Sequence, residues 1–396
     1  MLTLSNIANM FFAPVACPRP ASGYTRDHGR AWVNNEGKNS NVAAKTNFGT
    51  YGSGALSLLG LVGFFFGKKT QNSILEWTGV VVGVLGAIGA AVGKIFGVEY
   101  DIIDAVTNKV LLSPYRKVTV TPEDLSLPCE KVEIPSGDGV LKGYFIPAKN
   151  KTNKTILYLH GRNQNNGDCL PTCKTLMEST DANVLVVDYR GFGYSSGTPS
   201  PKGVVEDANK MYEYLLKKQN LTSDDITIFG HSLGGGIGIK MASELKARGI
   251  IVPKMIIQSS FTSPAAVVQD YSENVLPSFD PKYLVGDTFN SLESLKTLDK
   301  STELVFAHGT NDWVISHEQS KLLHEEAQRL GMKSSYHTLK DGTHSSFTDF
   351  IFTDAEYKAA IQPPSTKDRP PVPLQIYNGH NDHTHSDREG SVKLAA

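Results

Sequence analysis

The sequence predicts an α/β protein: a mostly parallel sheet with helices on both faces and a small helical cap, preceded by an apolar helical hairpin. Three observations lead there. After Val98, short runs of branched and aromatic residues alternate with stretches of helical pattern, the signature of a sheet covered on both sides. The inner runs, such as TILYL, NVLVV and KMII, are short and largely apolar, as expected of strands buried on both faces. At 396 residues the chain exceeds one small domain and can carry a large core with appendages.

Taken in order, residues 1–46 read as polar and irregular, and the opening MLTLSNIANMFFAPVAC makes a poor export signal because it lacks a basic start. From Phe48 to Gly67 run 20 residues without a formal charge, and Trp77 to Gly93 adds 17 more. A helix of about 20 residues spans about 30 Å, the thickness of a bilayer core. Gly79 and Gly83, like Gly89 and Gly93, stand four apart, a spacing that lets helices approach closely in lipid. Residues 47–99 are therefore expected to form a membrane-anchoring hairpin, with contact through 48–93. Lys38, Lys45, Lys94 and Lys109 outnumber Lys68 and Lys69 in the turn, which favours a cytoplasmic catalytic domain.

The catalytic domain is expected over 100–360. EKVEIPS and LKGYFIPA read as paired strands, followed by TILYLHG, NVLVVDYRG, ITIFGHS, KMIIQSS, TELVFAHG and SSYHTLK. Phe261–Ser301, between the last-but-two and last-but-one of these runs, leaves room only for a small cap. Residues 361–396 open on a proline-rich run and end polar, with His380, His383 and His385; a disordered tail is expected there.

Composition excludes several functions. Lys and Arg total 39 against 40 Asp and Glu, a net charge of −1, so no field draws nucleic acid. Cys17, Cys129, Cys169 and Cys173 are too few and scattered for a disulfide framework. Cys169 and Cys173 stand one helical turn apart without nearby histidines, which points to packed thiols and away from a metal site. No cofactor or metal is expected.

Chemistry enters at FGHSLGGG. In a chain with 36 glycines a G-x-S-x-G match carries little by itself, but Ser232 falls where the strand Ile226–Phe229 must turn into a helix starting near Leu233. Such a turn holds the serine in an unfavourable backbone conformation, and Gly230 and Gly234 supply the small neighbours it needs. A serine hydroxyl is a poor nucleophile unless a base, itself oriented by a carboxylate, takes its proton. Asp312 follows ELVFAHG and His344 follows SSYHTLK, the chain order such sheets use. Asp341 is expected to shape a loop, His337 lies inside a predicted strand, and Asp188 comes too early. Two backbone N–H donors must face the developing oxyanion: Leu233 at the helix start and Arg162 after YLHG, the Arg162 side chain reaching solvent or holding an anionic group of the substrate.

With these residues in view, the chain resembles the alpha/beta-hydrolase superfamily, and most nearly its membrane-attached branch of lysophospholipid hydrolases and protein depalmitoylases, with a more distant likeness to serine aminopeptidases. ILYLHGRNQN, VVDYRGFGYSSG, GHSLGG, SSFTSPAAVV, DTFNSLESL, FAHGTNDWVI and DGTHSSF carry the resemblance across Leu112–Phe352. It implies Ser232 as nucleophile, His344 as base and then acid, Asp312 as its partner, and an ester or thioester of a lipid or acylated protein as substrate. Arg162 stands where that branch usually has asparagine. A peptidase would need in addition an acidic anchor for a free amine, such as Asp270 or Glu273 in the cap; a membrane-bound scaffold would have no physical need for the three site residues together.

Overall fold

The computed structural model describes residues 24–27, 31–34, 111–137, 139–272 and 287–364. Both apolar segments of the expected hairpin, Cys17 and the three tail histidines lie outside them. A two-stranded ribbon, β1 (Tyr24–Asp27) with β2 (Ala31–Asn34), falls inside the segment read as irregular and pairs with nothing else among the described residues.

The body of the protein is an eight-stranded sheet. β3 (Glu130–Ser136) and β4 (Gly139–Ile146) are the antiparallel pair that EKVEIPS and LKGYFIPA predict, and β4 runs antiparallel to β6 (Asn183–Val187). From β6 through β5 (Thr155–Leu159), β7 (Ile226–His231), β8 (Lys254–Gln258), β9 (Glu303–Gly309) and β10 (Ser334–Leu339) every pairing is parallel. The spatial order is β10-β9-β8-β7-β5-β6-β4-β3. The chain leaves β5 toward β6 on one side and returns to place β7 on the other, so the order reverses between β5 and β7. In open α/β sheets a crevice opens at the carboxyl ends of the strands at such a reversal.

Alternation along each strand fills two cores. Leu157, Leu159, Leu185, Val187, Ile226, Ile228, Ile257 and Phe306 face one side, where α2 (Pro201–Lys218), α3 (Leu233–Ala247), α5 (Ser291–Leu295) and α6 (His317–Arg329) contribute Met211, Ile237, Leu295 and Leu323. Ile156, Tyr158, Val184, Val186, Phe229, Ile256 and Val305 face the other, against α1 (Asn166–Thr180), α7 (Phe347–Thr353) and α8 (Ala355–Ala360), which contribute Leu170, Leu176, Phe347 and Tyr357. Each such side chain, fully removed from water, contributes about 1.5–3 kcal/mol. Cys169 and Cys173 are buried thiols of the second core that form no disulfide with each other, and burial pushes the Cys173 thiol well up.

Helix starts follow local chemistry. Asn165 caps α1 in a reciprocal box with Asp168, and the Ser200 side chain accepts from the Gly203 N–H with Pro201 opening α2, as orphan N–H groups and a fixed proline φ favour. Of the expected cap, α4 (Pro264–Ser272) and residues 287–301 are described, while 273–286 lie outside the described residues. Phe261 at its start and Phe289 within it belong to the first core.

Candidate active site

At the reversal point, β7 ends on His231 and α3 begins on Leu233, so a single residue, Ser232, makes the whole turn. Its φ of 54° and ψ of −119° leave the ordinary regions for a residue with a side chain. The neighbourhood holds it there: the Ser232 N–H donates to the Gln258 carbonyl at 2.8 Å, and the Ser232 carbonyl accepts from the Gly235 N–H and the Ser260 hydroxyl, both at 2.9 Å. The flanking glycines are required by space. A Cβ at Gly230 would lie 2.6 Å from the Gly234 carbonyl oxygen, and one at Gly234 would collide with the Leu159 carbonyl oxygen.

Asp312 and His344 come from neighbouring loops. Asp312 follows β9 and His344 follows β10, and the two loops clamp each other: Asn311 N–H donates to the Gly342 carbonyl at 2.9 Å, Thr310 N–H to the Leu339 carbonyl at 3.0 Å, and Asp341 N–H to the Thr310 hydroxyl at 2.7 Å. Contact is so close that a Cβ at Gly309 would collide with the Gly342 carbonyl. The glycines of HG at 308–309 and DG at 341–342 are thus what lets these loops meet.

The structure brings the three predicted side chains into one chain of hydrogen bonds. His344 Nε2 lies 3.0 Å from Ser232 Oγ, and His344 Nδ1 lies 2.6 Å from Asp312 Oδ2. Ser232 is 7% exposed and His344 3%, so the relay is screened from bulk water. Asp312 Oδ1 accepts the Val314 and Ile315 N–H groups at 2.8 and 2.9 Å. Burial pushes this carboxyl up, but the charges and hydrogen bonds of His344 and His308 outweigh it and hold it well below the usual carboxylate range. Asp341 is exposed in a left-handed turn (φ 60°), and His337 lies within β10, its Nε2 3.2 Å from the Ser335 hydroxyl; neither joins the relay.

Leu233 is the first residue of α3, so its N–H has no intrahelical acceptor and sits at the positive end of the helix dipole. The turn carrying Arg162 lies against Ser232: a Cβ on Gly161 would be 3.3 Å from the Ser232 Cβ. The Arg162 side chain does not simply reach solvent. It is half-buried, and burial pushes its guanidinium down to about 10.

Two histidines beside the relay escaped the sequence reading. The His231 ring lies 5.1 Å from that of His344, its Nε2 donates to the His344 carbonyl at 3.0 Å, and its Nδ1 lies 3.3 Å from Gln164 Oε1, which also accepts the Gly161 N–H at 2.9 Å. Burial, then the nearby His344, lowers its pKa to about 3, so it is neutral at ordinary pH. His308 lies behind Asp312, Nε2 to Oδ2 at 3.0 Å. Both stand inside motifs, GHS and HGTND, where the better-known positions draw attention. A cavity of about 400 Å³ lined by Phe145, Lys149, Lys151 and Gln219 opens at the amino ends of β5 and β6, the opposite end of the sheet, and holds none of these residues.

Asp188, at the end of β6, is fully buried and 3.9 Å from His160. Burial pushes the carboxyl up to about 7 and lowers His160 to about 4, so near neutrality the imidazole is uncharged and the two make no ion pair. Because the folded pKa lies above the ordinary 3.8, folding favours protonated Asp188, and this contribution is lost as pH rises from about 4 to about 7. Asp188→Asn is therefore expected to flatten the decline of unfolding free energy across that window in urea titrations. A pH slope identical to wild type would show that Asp188 ionises normally in the fold.

Compared with known proteins, residues 154–394 match the family model described as the alpha/beta hydrolase fold. The chain belongs to this family of hydrolases. Among curated relatives, protein bem46 of Schizosaccharomyces pombe is 24% identical over 58% of this chain and 75% of its own length. WAV2 of Arabidopsis thaliana, an alpha/beta hydrolase domain-containing protein, is 27% identical over 57% and 75%. The lysophosphatidylserine lipase ABHD12 of Danio rerio is 30% identical over 44% of this chain and 48% of its own length. Among solved structures, an alpha-beta hydrolase from Vibrio vulnificus aligns with a TM-score of 0.50 at 22% identity, covering 58% of this chain and 80% of that one, a likeness of fold.

Proposed function

We propose that the protein is a serine hydrolase cleaving carboxylic ester or thioester bonds of lipid or acylated substrates through an acyl-enzyme, with Ser232 as nucleophile, His344 as base and then acid, and Asp312 as its orienting counter-charge. The observation that carries this reading is the relay of 3.0 and 2.6 Å from Ser232 Oγ through His344 to Asp312. Ser232 Oγ attacks the acyl carbon while His344 Nε2 takes its proton. The imidazolium, stabilised by Asp312, then protonates the leaving alcohol or thiol, and water repeats the sequence to free the acid. Leu233 and Arg162 N–H groups face the oxyanion, fixed before the charge develops and so without a reorganisation cost. No step calls for a metal or cofactor.

The lipid side of the proposal rests on the similarity to the lysophosphatidylserine lipase and on the apolar segments Phe48–Gly67 and Trp77–Gly93. No helix among the described residues is long and apolar enough to cross a membrane; the anchor in this reading is 48–93. The peptidase alternative is weakened because Asp270 is already engaged, its Oδ2 accepting from Gln319 Nε2 at 2.8 Å; Glu273 lies outside the described residues. Labelling by a fluorophosphonate, followed by a panel of ester, thioester and aminoacyl substrates, tests the reading. Hydrolysis confined to aminoacyl substrates would overturn it.

Deleting residues 1–99 is expected to leave a soluble hydrolase that turns over dissolved short-chain esters at close to the full-length rate. Every site residue and both cores lie beyond position 110. Turnover of substrate embedded in vesicles should fall much further, because an anchor raises the local concentration of enzyme at the surface. A full-length chain that fractionates without detergent, or a truncated chain that is inactive, would show that 48–93 belongs to the catalytic unit.

A further inference from the structure

We propose that His308 is a positioning residue of the active site, holding the Asp312 carboxylate in the orientation from which it serves His344. This rests on the proposed Ser232–His344–Asp312 relay and adds a fourth member to it. Asp312 Oδ2 is shared by two imidazoles, His344 Nδ1 at 2.6 Å and His308 Nε2 at 3.0 Å, and both histidine side chains are essentially removed from solvent. Oδ1 is taken by the Val314 and Ile315 N–H groups. The carboxylate therefore has four donors, and its plane is fixed.

The bonds around His308 also fix its tautomer. Nε2 faces two acceptors, Asp312 Oδ2 and the Ile315 carbonyl, each at 3.0 Å, so Nε2 carries the proton. Nδ1 meets the Ser320 hydroxyl, 2.7 Å away on α6, whose oxygen lies 3.5 Å from the Ser260 carbonyl. A proton on Nδ1 alone would leave Nε2 as a lone pair against a carboxylate and a carbonyl, which burial makes costly. β9 and α6 thus hold His308 as a donor aimed at Asp312 before any substrate arrives.

Two consequences separate this role from packing. Without the His308 donor, Asp312 can turn about its Cβ–Cγ bond, and His344 loses alignment with Ser232. Asp312 also presents more of its charge to His344, which favours the protonated base and moves the acidic limb of the pH–rate profile upward. Among the described residues, the titratable groups facing His344 are Asp312 from the β9 loop and His231 from β7, with His308 behind Asp312. His231, lowered to about 3, stays neutral across the assay range and does not move that limb.

The test compares His308→Met, which fills the space without a donor, with His308→Gln, whose amide N–H reaches the place of Nε2. Each full-length variant is assayed on a dissolved short-chain ester across pH, beside Ser232→Ala and a thermal melt. H308M is expected to lose roughly 10–100-fold in kcat, the usual cost of removing a partner that orients a reacting group, with KM little changed and the acidic limb displaced upward; H308Q is expected to recover most of the rate. A folded H308M with kcat within about twofold of wild type and an unmoved limb overturns the proposal, as does an H308Q equally impaired, which would mark a packing role. Should the H308M chain fail to fold, His308→Gln decides alone: a folded H308Q whose kcat stays within a few-fold of wild type with an unmoved limb supports the donor role, and a folded H308Q whose kcat falls more than about tenfold overturns the proposal. Failure of the underlying relay reads differently, as turnover that survives Ser232→Ala.

Discussion

Ser232→Ala is expected to abolish fluorophosphonate labelling and to lower turnover by several powers of ten, while the protein still folds. The change removes one atom, Oγ, whose only described side-chain partner is His344 Nε2 at 3.0 Å. The turn itself is held by backbone bonds to Gln258 and Gly235 and by the Ser260 hydroxyl, none of which uses Oγ. Stability should therefore stay close to wild type, since the φ of 54° is equally unfavourable for alanine and the lost hydrogen bond is worth only about 1 kcal/mol. Catalysis has no such reserve. When members of a cooperating triad act as a unit, losing the nucleophile costs nearly as much as losing all of them, and the remnant comes from binding and the oxyanion donors. Hydrolysis at roughly a tenth of the wild-type rate or more would mean that another group attacks the acyl carbon.

The strand runs were legible because burial on both faces demands continuous apolar residues, and TILYL, NVLVV, ITIFGH and KMIIQ are buried at every position. The turn at Ser232 was legible for a similar reason: it tolerates only glycine at 230 and 234, and that leaves a written trace. The supporting histidines were not. His231 and His308 act through what their ring nitrogens meet across the fold, His344 from 113 residues away and Ser320 from another element, and no local pattern encodes a contact of that kind. The surroundings of the Arg162 side chain were left open between solvent and an anionic substrate group, because exposure depends on which loops close over a turn. The short ribbon β1–β2 has no alternating pattern to announce it.

Asp312→Asn is expected to lower turnover by about 10²–10⁴, or roughly 3–5 kcal/mol of transition-state stabilisation, whereas Asp341→Asn should change it by no more than about twofold. In Asp312→Asn the amide oxygen can still accept the Val314 and Ile315 N–H groups, so the loop keeps its shape and the amide nitrogen takes the place of Oδ2. That nitrogen then confronts His344 Nδ1 and His308 Nε2, donor against donor at the 2.6 and 3.0 Å positions. The lowest-cost escape for His344 is to move its proton from Nδ1 to Nε2, which points a hydrogen at Ser232 Oγ where a lone pair must stand. The base is lost without being removed, and the counter-charge for the imidazolium goes with it. Asp341 meets no such conflict: its side chain is exposed, its backbone N–H holds the Thr310 hydroxyl whichever side chain is present, and asparagine accepts the left-handed φ of 60° readily. The two variants, assayed side by side for kcat and melting temperature, separate an acid that serves His344 from one that shapes a loop. A larger loss at Asp341 than at Asp312, with both proteins folded, would reassign the acid.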